Sequence, residues 1–165
     1  MKSTQLTTGS PEETKALGSK LGRLLWPDSV VLVSGDLGAG KTVLAQGIGA
    51  GLGLTERVTS PTFTIIQEHS SGRLPLFHAD LYRVGFPEEL EEIGFEEYYR
   101  RGGVLLVEWP QRLGEELWPE EYLEVELEQL GPKERRLTLT AVGEKYEELV
   151  DNLASGSVVY EGGRQ

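Results

Sequence analysis

One stretch limits what this chain can fold into more than any other. Ser29-Val30-Val31-Leu32-Val33-Ser34 has the character of a buried strand and runs straight into Gly35-Asp36-Leu37-Gly38-Ala39-Gly40-Lys41-Thr42. An apolar-periodic segment follows from Val43 to Leu52. Gly35, Gly40, Lys41 and Thr42 match the spacing G-x-x-x-x-G-K-[ST] in the strand–turn–helix setting that a phosphate loop requires. The glycines allow the backbone to curl so that successive N–H groups face inward at phosphate oxygens. The helix behind them adds its positive end. The expected nucleotide-binding set is thus Leu37, Gly38, Ala39, Gly40, Lys41, Thr42 and Val43. Lys41 reaches the β- and γ-phosphates, and the Thr42 hydroxyl ligates Mg²⁺. The competing reading is a glycine-rich hairpin or helix cap that carries a surface lysine.

A phosphate loop needs a carboxylate at the end of a neighbouring strand, which ligates the ion or holds its waters. Val104-Leu105-Leu106-Val107 is the second fully apolar run, and it ends in Glu108. Two such runs, Val30–Val33 and Val104–Val107, indicate a parallel core sheet covered on both faces. Glu108 is therefore expected to share Mg²⁺ with Thr42, against the alternative of a strand-terminal surface glutamate. Asp80 ends another strand and would polarise the attacking water or bind metal through water; otherwise it pairs with Arg83. Its strand neighbour His78 reads as structural. Thr59-Ser60-Pro61-Thr62 is either a switch segment whose hydroxyl completes the metal shell or a Ser-Pro turn before a strand. Trp109 is either core or a moving aromatic that docks a partner. The absence of an N-K-x-D string favours ATP over GTP.

Around these motifs, Ser10-Pro11-Glu12-Glu13 reads as a capped helix start with Glu13 closing a capping box. Its leucine face (Leu17, Leu21, Leu24, Leu25) ends before Pro27. Gly47, Gly49 and Gly51 each cost about 1 kcal/mol in a helix relative to Ala. They imply either close packing of that helix on the sheet or a shortened helix. Thr64–His69 and Leu74–Leu81 read as strands, and Pro87–Tyr99 as one polar helix. Leu123/Val125/Leu127 and Leu137/Leu139/Ala141 form a hairpin with one wet face. Tyr146, Leu149, Val150 and Leu153 mark a last short helix. The expected fold is α/β: a P-loop NTPase-like three-layer sandwich, its parallel core strands flanked by antiparallel ones. Residues 1–154 are expected to form a single P-loop ATPase domain, and 155–165 a loose C-terminal tail.

Composition narrows the setting. Residues 1–60 carry six basic and five acidic side chains, and residues 61–165 carry ten and 22, so the net −11 arises entirely in the second part. Such a chain repels a phosphate backbone, and no autonomous nucleic-acid binding is expected. The acids serve solubility or match a basic protein partner. There is no cysteine, no apolar leader, and no stretch near the ~18 apolar residues of a membrane span. A cytoplasmic location without membrane contact is the expectation.

Taken in order, Gly35–Thr42, Ser60-Pro61-Thr62-Phe63, His78-Ala79-Asp80-Leu81-Tyr82-Arg83, Pro87-Glu88-Glu89-Leu90 and Val107-Glu108-Trp109-Pro110-Gln111 resemble the bacterial TsaE (YjeE) ATPases. The resemblance runs from about Ser10 to Gln111. It implies an ATPase that supports formation of N6-threonylcarbamoyladenosine, next to the anticodon of tRNAs reading A-starting codons. The partners implied are TsaB and TsaD, which bind it as a complex, with tRNA met only indirectly. By the same resemblance Lys41 binds phosphate, Thr42 and Glu108 hold Mg²⁺, and Thr62 and Asp80 belong to switch-like segments. Trp109 matters for activity or partner contact, and adenine sits near Ser10–Thr14, including Pro11. Catalysis would rest on Lys41, Asp80 and Glu108. Hydrolysis by the chain alone is expected to be weak, since no arginine finger sits in the loop. The residues themselves leave two rivals: a P-loop kinase with Asp80 as base, and a non-catalytic nucleotide-sensing module.

Overall fold

The computed structural model describes residues 1–36, 38–61 and 64–155. Leu37 and Thr62, two of the expected site residues, lie outside the described residues, as do Phe63 and positions 156–165 of the expected tail. Among the described residues one sheet forms from β1 (Lys2–Thr8), β2 (Val30–Ser34), β3 (Ile66–His69), β4 (Leu76–Asp80), β5 (Val104–Glu108), β6 (Tyr122–Gln129) and β7 (Arg135–Val142). Its spatial order is β1-β7-β6-β2-β5-β4-β3. The central four, β6, β2, β5 and β4, are parallel. β7 and β1 on one side, and β3 on the other, pair antiparallel. This is the expected α/β arrangement of a parallel core with antiparallel flanks.

Both core runs are apolar on every residue because both faces are covered. Val31, Val33, Leu76, Val104 and Leu106 face a layer made by α1 (Pro11–Leu24), α2 (Lys41–Gly51) and α4 (Glu144–Ser155). Val30, Leu32, Phe77, Ala79, Leu105 and Val107 face a second layer built on Leu81, Val84, Leu90, Phe95 and Leu113. Side chains alternate along a strand, so Leu76, His78 and Asp80 share the α2 face. The parallel register sets His78 opposite Leu106 and Asp80 opposite Glu108.

Three details differ from the sequence reading. β1 was not expected; only Leu6 and Thr8 of its seven residues are buried, an apolar signal too thin to read. The helix expected over Pro87–Tyr99 divides into α3 (Glu88–Glu92) and a 3₁₀ segment, Phe95–Arg100, around Gly94 at φ +70°. Leu90 and Phe95 are both fully buried; five positions apart on one straight helix they would face different ways, and the break lets both turn inward. The break also gathers Glu88, Glu91, Glu96, Glu97, Glu115 and Glu116 around a second cleft of about 680 Å³. The capping box is displaced as well. Glu13 N donates to Ser10 Oγ (3.2 Å), but the Glu13 carboxylate accepts from Gly9 N (2.7 Å) rather than from the Ser10 amide.

The glycines of α2 do pack closely, but Gly47 and Gly51 lie against another helix rather than the sheet. A Cβ on Gly47 would collide with the Lys15 carbonyl and lie 3.0 Å from the Gly18 Cα, and one on Gly51 would collide with the Ser19 carbonyl. Gly18 and Gly22 answer from α1, where a Cβ on Gly18 would come within 2.6 Å of the Leu44 carbonyl oxygen. Each pair is spaced four residues apart, so one bare stripe per helix meets the other backbone to backbone. α2 keeps its full length. Gly47→Ala should therefore destabilise the chain by about 2 kcal/mol through overpacking, although Ala is about 1 kcal/mol the better helix former. Urea unfolding should show a lower midpoint at unchanged slope; an unaltered or higher midpoint would mean that α1 and α2 separate at no cost.

Candidate nucleotide site

The turn from β2 into α2 takes the curled form that its glycines permit. Gly35, Gly38 and Gly40 have φ of +146°, +84° and +104°. Glycine is required at Gly35 on two counts, since a Cβ there would also lie 2.7 Å from the Leu127 carbonyl oxygen. Gly40 is the N-cap of α2 and offers no side chain to its first amides. Those N–H groups have no intrahelical partners, and with the positive helix end they make a site for an anion.

Lys41 is the first residue of that helix and is buried. Its Nζ donates to the carbonyls of Gly35 (2.6 Å) and Asp36 (2.8 Å) and lies 4.9 Å from the centre of the Trp109 ring. Burial lowers its pKa, while Glu108, Asp80 and Asp36 pull it back up. Thr42 Oγ1 is 3.0 Å from Ser60 Oγ, so the Ser-Pro segment comes to the loop through its serine. The route to Ser60 is fixed behind it. The Glu56 carboxylate accepts from His69 Nδ1 (2.7 Å) and from the Ser71 hydroxyl (2.5 Å), and Thr55 N donates to Ser71 Oγ (3.0 Å).

Glu108, at the end of β5, is 3% exposed and accepts a 2.6 Å hydrogen bond from His78 Nε2. His78 is fully buried, and its Nδ1 has no partner among the described residues. It is structural in the sense that it orients the carboxylate beside it. Asp80 accepts from Tyr82 N (3.0 Å), and no ion pair with Arg83 forms among the described residues. Burial raises the Asp80 pKa and the nearby Glu108 adds to the rise, against pulls from the Tyr82 amide, His78 and Lys41. Trp109 follows at φ +60°, a left-handed conformation unusual for a bulky residue. Its ring lies 4.9 Å from that of Tyr82.

These groups share one cleft of about 690 Å³. Gly38, Gly40, Lys41, Thr42 and Val43 line one side of it, and Asp80, Glu108 and Trp109 the other. The size suits a nucleotide-scale ligand. Ala39 is buried beneath the loop. Pro11 is exposed at the start of α1 and does not line the cleft. Among the described residues no group of three or more His, Cys, Asp or Glu is gathered to hold a metal by itself. A hydroxyl and two carboxylates do converge, and those hard oxygen donors suit Mg²⁺, which commonly takes its remaining ligands from water and phosphate.

Two cleft residues escaped the sequence reading. Ser60 was seen only as part of a segment, not as the partner of Thr42. Arg135, 94 positions beyond Lys41, was not singled out at all. Its Nε donates to Ala39 O (2.9 Å) and its Nη2 to Gly38 O (3.3 Å). No local pattern signals such a contact.

The sheet order, the curled loop and the acid-ended neighbouring strand define a protein of the P-loop NTPase fold. The structure of YdiB from Bacillus subtilis superposes with a TM-score of 0.79 at 40% identity, covering 94% of this chain and 97% of that one. The family model described as threonylcarbamoyl adenosine biosynthesis protein TsaE matches residues 8–137. The chain belongs to the TsaE family. It is 45% identical over 154 residues to the tRNA threonylcarbamoyladenosine biosynthesis protein TsaE of Bacillus subtilis, covering 93% of this chain and 96% of that one. With the protein of the same name from Treponema pallidum it shares 40% over 130 residues, 79% of this chain and 95% of that one.

The Glu56 latch yields a pH dependence of defined sign. The Ser71 hydroxyl first, and then His69, draw its pKa from the ordinary 4.5 down to about 2. Between those values the unfolded chain binds more protons than the folded one, so stability rises with pH. The contribution is whole above the ordinary carboxylate range and is lost as pH falls toward about 2. Glu56→Gln should lower the unfolding midpoint at neutral pH, and the gap from wild type should close on acidification. A gap independent of pH would show that the carboxylate charge plays no part.

Proposed function

We propose that this chain is a Mg²⁺-dependent ATPase of tRNA threonylcarbamoyladenosine biosynthesis that acts bound to a TsaB–TsaD complex and meets tRNA only through it. One observation carries the reading: Lys41, Thr42, Asp80 and Glu108 converge on a single cleft at an uncapped helix N-terminus. Family membership and the names of the relatives support the pathway. The absence of a guanine-reading motif supports adenine.

In this reading Lys41 leaves the Gly35 and Asp36 carbonyls to neutralise β- and γ-phosphate oxygens, and the loop amides cradle the rest. Thr42 and Glu108 would hold Mg²⁺, which when bound offsets the charge gathering on the transferred phosphoryl group. His78 keeps the Glu108 carboxylate aimed, as outer-shell partners of metal ligands do. Asp80 orients the attacking water and takes its proton; a raised pKa makes it a better base than a free aspartate. Ser60, hydrogen-bonded to Thr42, ties the following segment to the occupancy of the loop. Trp109 and the exposed Tyr82 stand at the cleft mouth, where a partner can sense the nucleotide. Among the described residues no helix is long and apolar enough to cross a membrane.

Phosphate release from Mg-ATP should be slow for the chain alone and faster with TsaB–TsaD added. Lys41→Ala and Glu108→Gln should each lower the complex-stimulated rate by at least about 10²-fold, as loss of a group facing transition-state charge does. Undiminished turnover in Lys41→Ala would sink the proposal. A stable phosphorylated product in place of free phosphate would mark a kinase.

A further inference from the structure

Arg135 opens β7, far in sequence from the phosphate loop, yet its guanidinium binds four backbone carbonyls. Two belong to the loop, Ala39 O (2.9 Å) and Gly38 O (3.3 Å). Two belong to the β6–β7 turn, Gly131 O (3.0 Å) and Glu134 O (2.9 Å). The turn is itself closed by Leu130 N donating to Glu134 O (3.0 Å). A planar fork with several fixed donors is well suited to hold carbonyls on two segments at once.

The consequence lies in the peptide planes. In a trans peptide the C=O and the next N–H point in opposite directions, and no cis bond occurs among the described residues. A carbonyl held toward Arg135 therefore turns the following amide away from it. For the Gly38–Ala39 plane that amide is Ala39 N–H, which donates to Asp36 O (3.0 Å). For the Ala39–Gly40 plane it is Gly40 N–H, at the N-cap of α2. Gly38 and Gly40 both have positive φ and no side chain, so beyond the Ala39 N–H bond the loop has little of its own to hold these planes against rotation.

We propose that Arg135 is the positioning residue of the phosphate loop: it fixes the Gly38–Ala39 and Ala39–Gly40 peptide planes, the first with its amide turned to Asp36 O and the second with the Gly40 amide left for phosphate before a nucleotide arrives. The inference rests on the nucleotide reading of the cleft. The loop is pre-ordered by a cation outside the motif, and the β6–β7 hairpin becomes part of the nucleotide site. The neighbouring Arg136, paired with Glu128 on the same hairpin, makes no such contact and is the natural control.

The experiment measures binding of Mg-ATP, Mg-ADP and Mg-pyrophosphate by calorimetry, with unfolding midpoints taken without ligand. Wild type is compared with Arg135→Gln, Arg135→Lys and Arg136→Gln. Arg135→Gln should weaken all three ligands by about tenfold, the scale of one hydrogen bond to a charged group. Arg135→Lys, which keeps the charge and some donors but not the fork, should recover part of the loss. Arg136→Gln, which loses only an exposed ion pair, should bind as wild type does. Equal affinities in wild type and Arg135→Gln overturn the positioning role alone, as does a loss confined to the nucleotides that spares pyrophosphate. A wild-type chain that binds none of the three ligands overturns the nucleotide reading with it.

Discussion

The structure turns on one buried cation. Lys41 has its ammonium between the Gly35 and Asp36 carbonyls, with Glu108 and Asp80 close enough to oppose the desolvation that lowers its pKa. A buried ammonium is costly unless hydrogen-bonded and countered by charge. The two carbonyls are available because the glycine turn aims them inward. The two carboxylates are available because β4 and β5 end at the same level of the sheet. Loop, helix start and strand ends are thus tied through a single side chain. Removing it would leave two acids facing each other across a register pair with their shared counter-charge gone.

The rest of the fold serves this arrangement by fixing distances. Parallel pairing sets Asp80 beside Glu108, and Val33 beside Glu108 on the other side. A one-residue slip of β5 would turn Glu108 to the opposite face, and its unbroken run of buried residues leaves that register to the backbone ladder and the flanking loops. The glycine contact between α1 and α2 fixes how near the phosphate-loop helix lies to its neighbour. The four glycines forgo helix propensity for a backbone approach that side chains would forbid. Sequence dictates these distances through what it omits, the Cβ atoms, as much as through what it supplies.

That division explains what could be read from the sequence. The loop, the two apolar strands, the wet-faced hairpin and the leucine face of α1 carry periodic or motif signals, and each appears where expected, except that Leu24 of that face is exposed while Leu17, Leu21 and Leu25 are buried. Glu108 and Asp80 were legible because strand-ending acids beside a phosphate loop have a chemical reason to be there. The elements that escaped depend on contacts distant in sequence. β1 buries little and exists because β7 offers it an edge; the α2 glycines answer α1, a partner that no local window shows. The break at Gly94 is set by where Leu90 and Phe95 must point. Arg135 reaches the loop only because the hairpin folds back along β2, and a lone arginine at a strand start has no signature of its own. His78 was weighed as structural, and its value lies in the neighbour it orients.

Trp109 shows how the site and the fold compete. A bulky residue in the left-handed region costs on the order of 1–3 kcal/mol and persists only where its surroundings fix it. Here the backbone is pinned by Trp109 N donating to Val33 O (3.2 Å), near the end of the central strand β2. The ring is set between the Lys41 ammonium and Tyr82. Relaxing the dihedral would withdraw the ring from the cation and loosen the junction between β5 and Pro110–Arg112. The half-buried Asp80, its pKa raised, and the Nδ1 of His78, without a partner among the described residues, are further local costs nearby. Together they place the least relaxed part of the molecule where Lys41, Thr42 and Glu108 meet. In the proposed reading, phosphate would give the Lys41 ammonium a counter-charge in place of the two carbonyls, and a hard cation would offset the charge that Asp80 and Glu108 bring together.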